Sequence, residues 1–475
     1  MMEERGELRR ALGFGDLVLF FVVTGFSIRW VATAAAAGPS ALVIWLLACA
    51  TFYVPLMFCV IELSSRYPQE GGLYVWSRRA FGDFAGFMAG WTYWSCNLPY
   101  FPALLYFTAG NAIFIGGTRW QHLSNSSAYF ISVSLIGLAV ATALNVVGLD
   151  TGKWLHNLGA VATWVPALIL VSIGLFAWAR FGAATPITLA TLVPSVNLRD
   201  IIFWSTIAFA LAGVESGPVM GDEIRDARRN IPRALLLAGG LITVTYILAT
   251  FCLLLALPRE EVSELQGAMQ AVEKAAGRLE IEGIAPIAAA LIAFSGLGGT
   301  GAWLAATSRL PFVAGIDRFL PTAFGRLHPR WGTPHVALLL QAFVAALFVF
   351  LGQAGTSVKG AYDALVSMSV ISYFIPFLFL FGSMIRLQKE AAGPEAIRVP
   401  GGKPVAIVLA SLGFATTAVS IMLSVIPPEN EPNKGLAVVK VVGLCTLLVA
   451  IGTAIFWRGN SRRKSVSHEP TSFDS

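Results

Sequence analysis

Apolar runs of membrane-spanning length, separated by short polar segments, recur along the chain at 14–37, 40–64, 84–112, 128–148, 154–179, 201–221, 234–257, 284–308, 335–352, 361–385, 404–426 and 437–457. An apolar helix of about 20 residues crosses a ~30 Å hydrocarbon core. The pattern therefore predicts an all-α polytopic membrane protein with twelve transmembrane helices. The first run follows MMEERGELRR and shows no small-residue cleavage site before its continuation, so it reads as a retained span and not a signal peptide.

Two of the runs are interrupted. The first carries Thr24, Gly25, Phe26 and Ser27 at mid-membrane, followed by Arg29; the sixth carries Gly213, Gly217 and Pro218 with Glu215 among them. In hydrocarbon, a freed backbone group or a charge costs several kcal/mol unless it is buried in protein or faces water. Gly25 alone fits close helix packing as well as it fits a break. Two broken helices five spans apart, however, are the sequence signature of a transporter site. They divide residues 14–385 into a ten-helix transport core of two five-helix repeats, 14–179 and 201–385. Residues 404–457 form two additional transmembrane helices outside the repeat. Residues 1–13 read as a cytoplasmic N-terminal segment and 458–475 as a disordered cytoplasmic tail.

Composition agrees: 56% of the 475 residues are hydrophobic and 13% charged, which excludes an ordinary soluble domain. Most of the 33 Lys and Arg fall in segments that this topology gathers on one side. They include Arg9 and Arg10, Arg66, Arg78 and Arg79, Arg225 to Arg233, Arg318 to Arg330, and Arg458 to Lys464. The positive-inside rule then puts both termini of a plasma (cell inner) membrane protein in the cytoplasm. The asymmetry accounts for the +6 net charge, so no nucleic-acid partner is called for. All five cysteines lie within spans, and neither a disulfide nor a metal site is expected. No catalytic triad, P-loop or zinc signature occurs, which argues against an enzyme, an ATP-driven pump or a cofactor.

Glu62, Arg66, Pro68, Gly71, Gly72, Tyr74 and the run from Arg79 to Gly82 resemble the loop after the second helix of the amino acid-polyamine-organocation transporters. FALAGVES with DEIRDARRNIPRAL, TSRLPFVAGIDRFLP with HPRWGTPHVALL, and RVPGGKP continue that resemblance in order. FYVPLMFCVIEL, YFPALLYF and VIPPEN look most like the glutamate:GABA antiporter branch. The resemblance implies a LeuT-type five-plus-five inverted repeat plus two C-terminal helices, and a secondary active permease or exchanger of amino acids working by alternating access. It implies a small-molecule amino acid substrate and a proton or counter-substrate, with membrane lipid around the spans. Free N–H groups of a half-helix attract a carboxylate and unwound carbonyls attract an ammonium. On the resemblance, Thr24, Gly25, Phe26 and Ser27 supply the first set and Phe209, Ala210, Leu211, Ala212 and Gly213 the second. The third helix, which lines the site in the family, contributes Asn97 and Tyr100, although aromatic residues there serve packing more often. Some relatives place a Lys in the fifth helix where others bind sodium; here that region holds Trp164, which leaves the coupling ion open.

Glu215 either braces the unwound segment by accepting backbone N–H bonds or protonates during the cycle. Arg29 is read as facing the cavity, with Glu215 or an acidic substrate group as partner, against the plainer reading that it snorkels along Trp30. The acidic loop from Pro258 to Gly283 reads as a solvated connector in preference to an amphipathic lid. Ser295 is a packing residue or an ion ligand. Thr307, Ser308, Arg309 and Asp317 read as parts of a cytoplasmic loop. Two alternatives stay open: a polyamine or organic-amine permease, which needs cavity carboxylates beyond Glu215 and Asp363, and a transport-incompetent nutrient sensor.

Overall fold

The computed structural model describes residues 8–195, 197–262, 266–281, 283–353, 358–426 and 434–467. Helices stand at every predicted run. They are α1 (Phe14–Gly25) and α2 (Ile28–Ala37), α3 (Ala41–Arg66), the short α4 (Leu73–Phe81), α5 (Asp83–Ile115), α6 (Ser127–Val147), α7 (Leu149–Phe181) and α8 (Leu198–Ala210). Then come α9 (Ala227–Ala256), α10 (Gly267–Arg278), α11 (Ile284–Ile316), α12 (His335–Gln353), α13 (Val358–Leu387), α14 (Gly402–Ser424) and α15 (Lys434–Ser467). Among the described residues nine segments are long and apolar enough to cross a membrane, the α1–α2 pair counting as one, and two shorter apolar helices lie at Asp200–Ala210 and Ser372–Leu387.

Helix breakers explain the departures from straight spans. Pro55 has no N–H to give the carbonyl of Thr51, one turn earlier, and α3 widens into a π turn over Cys49–Tyr53 just before it. The hydroxyl of Thr416 on α14 donates to that freed carbonyl at 3.0 Å. Between α1 and α2, Phe26 and Ser27 are extended. After α8 the chain unwinds through Gly213, at φ +127°, and resumes as a 3-10 turn over Gly217–Glu223.

The family-like motifs meet on the face that carries the N-terminal segment. Glu62 accepts from Gln388 Nε2 at 2.6 Å and from the Val399 N–H of RVPGGKP at 2.9 Å, and pairs with Arg66. Arg309, fully buried, forms a two-pronged pair with Glu223 at 2.8 and 2.9 Å and lies 3.9 Å from Glu70. Burial, reinforced by the neighbouring Glu223, holds the Glu70 carboxyl well above its ordinary range. Leu12 pairs with the backbone at Glu223 and Arg225, closing the N-terminal segment over this cluster. Breaking a buried pair such as Arg309–Glu223 from one side costs about 3–5 kcal/mol. Thr307, Ser308 and Arg309 are thus buried residues of α11 and not part of a loop, while Asp317 caps that helix and binds Tyr74 and Arg78. Their high polarity suggested a loop; the compensating acids come from distant segments.

Two further expectations are corrected. The acidic stretch 258–283 contains α10, with Ala268, Met269, Ala271, Val272, Ala275 and Ala276 buried against the bundle. Small apolar residues at three- and four-residue spacing make this stripe, which the surrounding Glu residues obscured; Glu264 and Glu282 lie outside the described residues. The last helix runs to Ser467, past the predicted tail boundary at 458, because no proline interrupts it and Gly459 lets it pass against the backbone of Phe319. Residues 468–475 lie outside the described residues.

Candidate functional site

The two breaks lie against each other. A Cβ built on Gly213 would stand 2.6 Å from the Thr24 carbonyl oxygen, so only glycine permits this approach. Ser216 Oγ donates to the Gly213 carbonyl at 2.5 Å and lies 3.4 Å from Thr24 Oγ1. Beside this seam is a small cavity lined by Thr24, Gly25, Phe26, Ser27, Trp30, Tyr100, Phe209, Ala210, Ala212, Tyr246, Ser295, Trp303 and Tyr373, among others.

The N-terminus of α2 and the C-terminus of α8 both open into it. The first-turn N–H groups of α2 and the last carbonyls of α8 are the ones a helix cannot satisfy internally. Their dipole ends are positive and negative respectively. Phe26 N–H is used by the Val22 carbonyl at 2.9 Å, and Ser27 N–H by the Tyr246 hydroxyl at 2.9 Å. The same hydroxyl lies 3.2 Å from the carbonyls of Gly25 and of Ala210, bridging both breaks. Tyr246 is oriented by stacking on Trp45 at 4.3 Å and by Phe26 at 4.6 Å. Opposite the breaks, Trp303 and Tyr373 meet at 6.0 Å and Phe209 packs on Tyr373 at 5.2 Å. Trp30 meets Phe209 edge-on at 5.5 Å.

Glu215 lies outside the cavity lining and is fully buried. Its Oε1 accepts from Tyr93 at 2.8 Å and Tyr373 at 2.6 Å, and its Oε2 from the Gly213 N–H at 2.9 Å. Its bond to the Gly213 N–H ties it to the unwound segment, and it is not the partner of Arg29: three donors already occupy it, and no ion pair joins the two among the described residues. The Arg29 guanidinium is 1% exposed, so it does not snorkel to water. It lies over Trp30 at 4.2 Å, behind the cavity wall.

Of the other sequence-derived candidates, Thr24, Gly25, Phe26, Ser27, Tyr100, Phe209, Ala210 and Ala212 line the cavity. Leu211 and Gly213 sit in the adjoining unwound turn. Asn97 is turned away, its amide donating to the Tyr93 carbonyl at 2.7 Å within its own helix. Ser295 lines the cavity and hydrogen-bonds the Thr163 hydroxyl of α7. The Asp363 side chain lies outside the described residues. Tyr246, Trp303 and Tyr373 also line the cavity, beyond what the sequence marks: aromatic residues are common in spans, and no local signal distinguishes those that face inward.

Residues 11–451, the breaks and about the first half of α15 included, match the amino acid permease family. The chain belongs to that family, within the amino acid-polyamine-organocation superfamily. This permease is 26% identical to an uncharacterised transporter of Legionella pneumophila, over 90% of its own chain and 92% of the relative. It is 24% identical to the probable agmatine/putrescine antiporter AguD of Lactococcus lactis, over 87% and 88%. It is 23% identical to the glutamate/serine transporter AimA of Bacillus subtilis, over 86% and 76%. The permease is an integral, multi-pass membrane protein, a secondary transporter of small molecules and not an enzyme.

Proposed function

We propose that this permease carries amino acids across the plasma membrane by alternating access, by uptake or exchange, with both termini in the cytoplasm. The observation that carries the reading is the apposition of the α2 N-terminus and the α8 C-terminus on one cavity. The site consists of Thr24, Gly25, Phe26, Ser27 and Tyr100 with the turn from Phe209 through Gly213. Glu215 holds that turn, Asn97 stiffens the neighbouring helix, and Arg29 stands behind the wall. A substrate carboxylate takes the first-turn N–H groups of α2, competing with Tyr246 for Ser27. Its ammonium takes the carbonyls that end α8. The fit of an amino acid agrees with the name of AimA, and exchange with that of AguD. A diamine is disfavoured: no described carboxylate lines the cavity, and the oxygens of Glu215, which meets the lining residue Tyr373, are occupied by Tyr93, Tyr373 and Gly213.

The test is counterflow into sodium-free proteoliposomes. Trapped unlabelled amino acid drives accumulation of labelled serine or glutamate, because cycling runs on exchange or protons. Strict sodium dependence overturns that coupling, and no counterflow with any amino acid favours the sensor reading. Orientation is checked separately. A C-terminal tag stays protected from protease on intact cells and becomes cleavable after permeabilisation; cleavage on intact cells overturns the topology.

A further inference from the structure

We infer that Arg29 is the counter-ion for a second acidic group on the substrate, so that the cargo of the proposed site is an anionic, dicarboxylic amino acid. The inference rests on the amino acid reading above and narrows it.

Arg29 is buried, and its Nε, Nη1 and Nη2 have no hydrogen-bond partner among the described residues. Three rings surround the guanidinium: Trp30 at 4.2 Å, Tyr100 at 5.6 Å and Tyr362 at 5.9 Å. An arginine cannot shed its proton, and ring faces recover only part of the cost of taking a cation out of water. Arg309 shows how the same protein satisfies a structural arginine of equal burial. It has two prongs on Glu223, a carbonyl at Ala305 and the hydroxyl of Ser308. Arg29 has the charge of such a residue without its acceptors.

Its position says what supplies them. Trp30 and Tyr100, the nearer two rings, also line the cavity. The guanidinium is therefore one ring behind the wall, on the second residue of the half-helix whose N-terminus receives the α-carboxylate. When Trp30 turns from Phe209, a side-chain carboxylate of the same substrate meets the fork, which matches a carboxylate with two parallel N–H bonds. A neutral side chain leaves the guanidinium unpaired, and a cationic one adds repulsion.

The experiment is competition in the counterflow assay with L-glutamate, L-glutamine, L-serine and putrescine, on wild type, Arg29→Gln and Arg29→Lys. Wild type favours glutamate over glutamine by about tenfold or more, and putrescine does not compete. Arg29→Gln abolishes that preference, and Arg29→Lys, which keeps the charge but not the fork, restores part of it. Without substrate, Arg29→Gln melts no lower than wild type, because an uncompensated charge has been removed. Glutamine or putrescine competing as well as glutamate in wild type, an unchanged ranking in Arg29→Gln, or a variant that no longer folds each overturns the assignment. Failure of the parent reading is distinct: wild type then shows no counterflow with serine or glutamate.

Discussion

Replacing Gly213 with alanine abolishes exchange. At φ +127° the residue occupies backbone space that side-chain-bearing residues reach only at about 1–3 kcal/mol of strain. The added methyl would also stand 2.6 Å from the Thr24 oxygen, 2.9 Å from its carbonyl carbon and 3.0 Å from Gly25 Cα. These are backbone atoms of the other broken span, and no rotamer change relieves them. The seam between α1–α2 and the turn after α8 must open, which moves Thr24, Gly25 and the carbonyls ending α8 out of register together. Gly240, exposed on α9 with nothing within 4 Å of a built Cβ, is the control. Gly240→Ala improves helix propensity by roughly 0.5–1 kcal/mol and leaves exchange intact. Counterflow rates and melting temperatures of the two purified variants check this; exchange at wild-type rate in Gly213→Ala would show that the seam is not required.

The second large effect is at Glu215, where alanine and glutamine part company. Alanine strands three buried donors, the Tyr93 and Tyr373 hydroxyls and the Gly213 N–H. Each costs about 1–3 kcal/mol when left without an acceptor. Glu215→Ala therefore loses transport and melts markedly lower. Glutamine, turned about its terminal bond, accepts from Gly213 with its oxygen and donates both N–H bonds to hydroxyls that rotate to accept. Glu215→Gln keeps a substantial share of exchange if the carboxylate braces the turn. If instead it carries the coupling proton, Glu215→Gln loses the pH dependence of uptake. Exchange against pH for both variants separates the roles, and wild-type behaviour of Glu215→Ala removes Glu215 from both.

Hydropathy alone located the helices, because a hydrocarbon environment demands long apolar helices and leaves few other solutions. The breaks at Thr24–Ser27 and Gly213–Pro218 are legible for the same reason: small residues, a proline and a carboxylate inside an apolar run have few physical explanations. The glutamate-rich stretch that holds α10 misled, because its buried stripe is mostly alanine, which carries little hydropathy signal. Pairing was beyond the sequence. Thr24 meets Gly213 across 189 positions and Tyr373 reaches Glu215 across 158. Arg29 looked like a partner for Glu215 because each is a lone charge in an apolar span. The fold gives Glu215 to two tyrosines and a backbone N–H, and sets Arg29 among aromatic rings. Periodicity and composition are local properties of the chain, whereas hydrogen-bond satisfaction is settled only once distant helices have packed, and that packing decided which buried polar groups are braced and which stand open to a ligand.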